Sequence, residues 1–187
     1  MSNYKPSEVM LEVYEPFKRQ IAKALEEINS RTWPDETKEL ARAIVNAVIP
    51  ACEKIDTVIQ INPSYIAWNK SDKKDAYEHD LTGFMVHIRD SCLDLAENLD
   101  GMKKEDLPKM IVDSEIELAK KFPREFVYSD IDKLRRKQVN RILELSAIGE
   151  QLGIEKQMIA YYKKNSPFFT LPENIALMES AEKKTNR

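Results

Sequence analysis

Glycine is scarce in this chain, since only 4 of its 187 residues are glycine. Globular proteins average about 7% glycine. Glycine supplies the positive φ angles of tight hairpin turns and phosphate-binding loops. None of the four lies in a GxGxxG or GxxxxGKS/T pattern, which excludes the standard phosphate-cradling loops. The scarcity argues against a many-stranded sandwich, a barrel or a doubly wound nucleotide-binding fold, and it favours long helices.

Cysteine and long apolar runs are scarce as well. Cys52 and Cys92 are the two cysteines, and neither lies in a CxxC pattern. Two such residues cannot form a disulfide framework, so we expect reduced, buried thiols in a cytoplasmic protein. The longest apolar run, 43–52, is interrupted by Asn46 and Pro50 and is far too short for a membrane span. The N-terminus lacks the apolar segment of a secretory signal, so we expect no membrane contact.

What the chain does contain is helical periodicity. Apolar residues near the N-terminus follow alternating steps of four and three, at Met10, Tyr14, Phe17, Ile21, Ala24 and Ile28. This period of 3.5 is typical of packed helices, and it suits a partner helix in a homodimer as well as an intramolecular bundle. Pro16 falls within the seam without shifting its register, so we expect a kink or a restart of the helix there.

Capping patterns mark the starts of further helices. Thr32 and Thr170 are each followed by a proline and an acidic residue, and Ser129 precedes Asp130. A hydroxyl at the N-cap accepts one of the unpaired N–H groups of the first turn. These caps and the apolar periodicity predict helices over about 32–61, 74–99, 105–122, 129–152, 155–164 and 170–183. The predicted fold class is therefore all-α, a multi-helix bundle of five to seven helices.

The stretch from 63 to 72 is predicted to be a loop, because proline and short polar residues interrupt the periodicity there. It holds Tyr65, Ile66 and Trp68. We expect these side chains to fill the rim of the core, with an exposed aromatic recognition loop as the alternative.

Charge is divided unevenly along the chain. Residues 1–117 contain 15 basic and 23 acidic side chains, a net charge of −8, whereas residues 118–187 contain 14 and 9, a net charge of +5. We therefore expect an acidic helical bundle core over 1–122 and a basic helical part over 126–187. Such polarity is typical of contact with nucleic acid or with an acidic protein surface. The alternatives are a solvated helix face and a basic part that pairs with the acidic half of the same chain. The cations are most concentrated at Lys133, Arg135, Arg136, Lys137 and Arg141.

The segment from 146 to 162 resembles a helix-turn-helix. Gly149 stands where two helices would cross closely, and Gly153 stands at the turn. The aliphatic residues that would lock the second helix are Leu152, Ile154 and Ile159. The resemblance implies that the second helix reaches nucleic acid through Glu155, Lys156, Gln157, Ala160, Tyr161, Lys163 and Lys164. A helical hairpin that serves only packing or protein contact is the alternative.

Two acidic pairs, Glu36 with Glu39 and Glu53 with Asp56, are similar to the magnesium-binding pattern of all-α nucleoside triphosphate pyrophosphohydrolases. Carboxylates at i and i+3 share a helix face, and two such faces can hold Mg²⁺ around a triphosphate. Those enzymes place the pairs on facing helices. The predicted helix over 32–61 instead places them ~25 Å apart. An enzyme of this class, with Mg²⁺ as cofactor, is the alternative function.

The two histidines are weaker candidates for a metal site than the acidic pairs. His79-Asp80 is similar to the paired ligands of metal-dependent phosphohydrolases, but His87 is the one other histidine. We expect both to be surface or core residues. With no catalytic set assembled, the sequence favours a non-catalytic cytosolic regulator or adaptor without cofactor or metal. It would bind a protein partner or nucleic acid through the basic C-terminal part.

Overall fold

The computed structural model describes residues 4–63, 66–67, 70 and 74–186, and every regular element within those ranges is helical. The predicted all-α multi-helix bundle is thus confirmed. The described residues form eight helices of eleven or more residues: α1 (Glu8–Ser30), α2 (Asp35–Asn46), α3 (Val48–Ile61), α4 (Lys74–Glu97), α5 (Leu107–Lys121), α6 (Ile131–Leu152), α7 (Glu155–Asn165) and α8 (Pro172–Thr185). Shorter helical turns occupy Lys104–Asp106, Pro123–Phe126 and Pro167–Thr170. None of the described helices is long and apolar enough to cross a membrane.

The chain divides into two compact units. The first is Met1–Lys103 with Glu150–Gly153, and the second is Lys104–Gly149 with Ile154–Arg187. The boundaries predicted at 122 and 126 both fall within the second unit. The first unit contains 13 basic and 19 acidic residues, a net charge of −6, and the second contains 16 and 13, a net charge of +3. The two units therefore differ in the sign of their charge.

In the first unit, helices α1 to α4 pack against one another. α1 is one continuous helix through Pro16. Of the two possibilities predicted there, a kink or a restart, the restart is therefore wrong. Its predicted seam is buried at Met10 and Phe17, among others. α4 packs on the other three helices, and Leu81 and Ile88 are fully buried on it. Apolar burial of this kind contributes roughly 1.5–3 kcal/mol for each large side chain.

The single helix predicted over 32–61 is wrong, because the chain leaves the helix at Ala47 between α2 and α3. Pro50 has no N–H, so the carbonyl of Asn46 loses its helical donor. Ala47 nevertheless has φ −74° and ψ −17°, and its N–H donates to the Ala43 carbonyl at 3.1 Å. Because these angles are right-handed helical, α3 continues from α2 without folding back on it.

The predicted cap at Thr32 is wrong. α2 begins at Asp35, and Pro34 occupies the N-cap position without a side-chain cap. The Arg31 guanidinium lies 4.4 Å from the centre of the Trp33 ring. Trp33 directly precedes Pro34, and the residue before a proline is disfavoured in the helical region, so the helix begins after Pro34.

The caps predicted at Ser129 and Thr170 are also wrong. Asp130 caps α6, because its Oδ1 accepts the N–H of Asp132 at 2.9 Å. The Thr170 hydroxyl donates to the Ser166 carbonyl at 3.0 Å and so belongs to the turn before α8. At α6 the neighbouring Asp130 carboxylate thus takes the capping role expected of Ser129. α8 begins at Pro172, with Leu171 at the N-cap position and no side-chain cap.

Two of the aromatic residues predicted at the core rim, Tyr65 and Trp68, lie outside the described residues. Ile66, the third residue of that prediction, is 39% exposed and does not fill the rim.

In the second unit α5 packs against α7, and Asn174 joins the start of α8 to the segment before α6. Asn174 is buried; its Nδ2 donates to the Phe126 carbonyl at 2.6 Å, and its Oδ1 accepts the Tyr128 N–H at 3.3 Å. The Phe168 ring lies 5.1 Å from the Phe126 ring. Gln138 on α6 donates to the Phe168 carbonyl at 2.8 Å. Two buried amides thus hold the irregular segments of this unit together.

Replacing two helical glycines by alanine should change the stability in opposite directions. A Cβ at Gly149 would lie 2.7 Å from the Glu155 Cα, whereas a Cβ at Gly83 meets nothing within 4 Å. We expect Gly149→Ala to lower the free energy of unfolding by about 1–3 kcal/mol, because backbone must move. Gly83→Ala should raise it by about 1 kcal/mol, the difference in helix propensity. Urea unfolding of both variants checks the pair, and a loss in Gly83→Ala would contradict the packing around α4.

Removing the Asn174 amide should destabilise the second unit. Asn174→Ala leaves the Phe126 carbonyl and the Tyr128 N–H without their partner, which costs about 2–4 kcal/mol. The matched control is the neighbouring Ile175→Ala, because Ile175 is 42% exposed. Chemical unfolding of both variants measures the difference. Equal stability of the two would show that Asn174 does not hold these segments.

Candidate functional site

The corner between α6 and α7 is built on two glycines. Gly153 has φ +67°, a left-handed conformation that ends α6. The Ile154 N–H donates to the Gly149 carbonyl at 2.9 Å, as in a helix C-cap. The backbone of Glu155 passes directly over Gly149. Gly149 thus lies at a close backbone approach and Gly153 at a turn, while the helix-turn-helix resemblance and its DNA-binding role stay predictions.

α7 buries one face and exposes the other. Met158 and Tyr162 are buried, and α7 packs on α5. The residues on its outer face are exposed: Lys156, Gln157, Lys163 and Lys164. Two residues predicted to reach the partner are engaged within the unit instead. The Tyr161 hydroxyl donates to Asp113 at 3.4 Å, and Glu155 accepts a hydrogen bond from Ser146.

α6 carries the second group of predicted cations. Lys133, Arg135, Arg136 and Lys137 are exposed. Lys133 and Lys137 are four residues apart and so share a helix face. Arg141 differs from these residues, because it is half-buried and its guanidinium binds Glu144 at 2.7 Å.

The four acids of these two helices differ in exposure: Asp132 and Glu150 are exposed, whereas Glu144 and Glu155 are not. Glu144 is 6% exposed and paired, and Glu155 is half-buried. Within the part of the chain that the structure describes, no ion pair involves Lys133, Lys137, Lys156, Lys163 or Lys164. The outer surface of α6 and α7 is therefore more positive than the net charge of the unit indicates. We call these five lysines the basic surface.

The two acidic pairs do not come together. Glu36 and Glu39 are exposed on α2. Glu53 accepts a hydrogen bond from the Tyr14 hydroxyl, and the Asp56 carboxylate is buried. Among the residues that the structure describes, no three His, Cys, Asp or Glu side chains are grouped so that they could hold a metal ion. The burial of Asp56 is a feature that the sequence pattern did not indicate.

The histidines and cysteines add no reactive group to the described site. The side chain of His79 lies outside the described residues, and His87 is exposed on α4. Cys52 and Cys92 are buried as predicted. Burial raises the pKa of Cys92 to about 12, and burial together with Cys92 raises the pKa of Cys52 further. Both therefore stay protonated at neutral pH, and a thiol is a weak nucleophile.

A shallow groove of about 230 Å³ runs between α1 and α4. Two cations line it, and each is paired with an acid that also lines it. Lys23 lies 3.7 Å from Glu27, and Arg89 lies 2.7 Å from Asp90. Glu97 also lines the groove, so the acids there outnumber the cations by three to two.

Comparison of the chain with protein-family models, with curated proteins and with solved structures finds no match. A function must therefore be argued from the chemistry of this chain alone.

The buried thiols predict a loss of stability at alkaline pH. Their folded-state pKa values are raised, so the unfolded thiols lose protons first, from a pKa of about 8.5. Stability is full below that pH and falls above it by about 1.4 kcal/mol per pH unit for each thiol. We expect Cys92→Ala to show a shallower fall between about pH 9 and 11 than the wild type in urea unfolding. Rapid labelling of either native thiol by a disulfide reagent at neutral pH would contradict the burial.

Proposed function

We propose that this protein is a non-catalytic nucleic-acid-binding protein, and that the basic surface contacts the phosphate backbone. The observation that carries the proposal is the excess of exposed cations on α6 and α7, which expose seven cations against the two acids Asp132 and Glu150. Their unpaired lysines are exposed, whereas Glu144 and Glu155 are bound within the unit. An acidic protein surface is the other partner that such charge suits, and the experiment below separates the two.

The lysines suit phosphate contact better than base recognition. A lysine ammonium is a flexible point charge with three donors, which binds phosphate oxygens without demanding one geometry. Specific reading of bases in the major groove needs side chains such as arginine, asparagine or glutamine that donate in a fixed pattern. On the outer face of α7 only Gln157 is of that kind. We therefore expect affinity that depends strongly on salt and weakly on sequence.

The corner geometry supports the same proposal. Because Gly149 lets α7 approach α6 closely, the start of α7 is fixed relative to the end of α6. α7 is also held on its inner side by α5. The lysines of α7 therefore extend from a rigid helix, and only their side chains lose freedom when they bind.

Binding to duplex DNA and to single-stranded RNA, measured against salt concentration, tests this proposal. The logarithm of the association constant should fall linearly with the logarithm of the salt concentration. Lys133→Gln combined with Lys137→Gln should reduce the magnitude of the slope by about 2 on duplex DNA, since each phosphate contact contributes about 0.9. The loss should be equal on unrelated sequences.

The matched control removes the same charge from the first unit. Lys18 and Lys23 are exposed on α1 and outside the basic surface, so Lys18→Gln with Lys23→Gln should leave the slope unchanged. Absence of binding to both nucleic acids at about 50 mM salt would overturn the proposal and leave the acidic protein surface. Equal effects of the two double variants would also overturn it, because net charge alone would then explain the binding.

A further inference from the structure

α3 is largely apolar, yet it holds a carboxylate that is entirely buried. Asp56 is 0% exposed. Its Oδ2 accepts the Tyr4 hydroxyl at 2.6 Å, the Ser7 N–H at 3.0 Å and the Gln60 Nε2 at 3.0 Å. Two of these donors belong to the segment before α1. We call residues 4–7 the N-terminal strap.

The strap has further connections to α3 and to α1. Gln60 Nε2 also donates to the Lys5 carbonyl at 3.1 Å. The Ser7 hydroxyl caps α1, because it accepts the Met10 N–H at 3.1 Å. One turn further on, the Tyr14 hydroxyl donates to Glu53. The strap and the first turns of α1 are therefore fastened to the two carboxylates of α3 by a small set of polar contacts.

These contacts satisfy only one of the two oxygens of the Asp56 carboxylate. All three donors reach Oδ2, and no donor in the described part of the chain reaches the buried Oδ1. A buried acceptor without a donor is unfavourable, and water would satisfy it if the strap moved away. None of these three contacts is an ion pair, since the three donors to Asp56 are neutral groups. The structure thus opposes the closed position of the strap with a solvation cost.

We propose that the N-terminal strap is a reversible cover, which opens as a unit while the rest of the first unit stays folded. The open form presents the Asp56 carboxylate to solvent. Local opening of this kind is favoured where few apolar contacts hold a segment. None of residues 4–7 is fully buried, whereas Val9 and Met10 just beyond them are. The proposal does not depend on nucleic-acid binding, since that function belongs to the second unit.

Native-state hydrogen exchange of the full chain tests the cover. The N–H groups of Met10 and Leu11 bond to Ser7, so they should exchange faster than those of Ile88 and Cys92 in α4. Tyr4→Phe removes one hydrogen bond of the closed strap and should speed exchange at Met10 and Leu11 about tenfold. Exchange in α4 should not change.

A second variant and a chemical probe keep the test decisive. Gln60→Leu removes the hydrogen bonds to the Lys5 carbonyl of the strap and to Asp56, and it should also speed exchange at Met10 and Leu11. Coupling of glycinamide to Asp56 with a carbodiimide should be faster in Tyr4→Phe than in the wild type. The control is Ser30→Ala, because the Ser30 hydroxyl bonds at the far end of α1. The proposal is overturned if Met10, Leu11 and α4 exchange at one common rate, or if Tyr4→Phe speeds all of them equally.

Discussion

The close approach of α7 to α6 is the constraint on which the candidate site depends. At Gly149 the backbone of Glu155 lies where a side chain would otherwise begin, and a Cβ would come within 2.7 Å of it. This contact fixes the start of α7, and the turn at Gly153 sets its direction. Because the inner face of α7 packs on α5, the lysines of α7 lie on its outer face. The basic surface is therefore a consequence of backbone packing as well as of composition.

Each unit also contains one polar group that organises irregular backbone. Asn174 in the second unit satisfies a carbonyl and an N–H of the segment before α6. Asp56 in the first unit gathers three donors on one oxygen and leaves the other without one. Both side chains are buried, where hydrogen bonds are strong and unpaired groups are costly. The Asn174 amide has partners for both its oxygen and its nitrogen. The Asp56 carboxylate has partners for one oxygen only, so we propose that the strap over it is the mobile element.

Helical faces and glycine corners could be predicted from the sequence, because they follow from local periodicity and from positive φ. The buried seam of α1 and the turn at Gly153 are examples. The break at Ala47 could not be located, since the apolar run around Pro50 hid the loss of one donor. The prediction of a cap at Thr32 was wrong because a helix starting there would place Trp33, the residue before Pro34, in the disfavoured helical region. The burial of Asp56 was missed because two of its three donors, Tyr4 and Ser7, are distant in sequence.

The most direct test of the central claim is footprinting of the lysines with an amine-reactive reagent, with and without duplex DNA at low salt. Binding by the basic surface predicts protection of Lys133, Lys137, Lys156, Lys163 and Lys164. It predicts unchanged labelling of Lys18 and Lys23 on α1, which are exposed and lie in the unit of net charge −6. Protection spread evenly over both units, or confined to α1, would contradict the claim that α6 and α7 form the nucleic-acid interface.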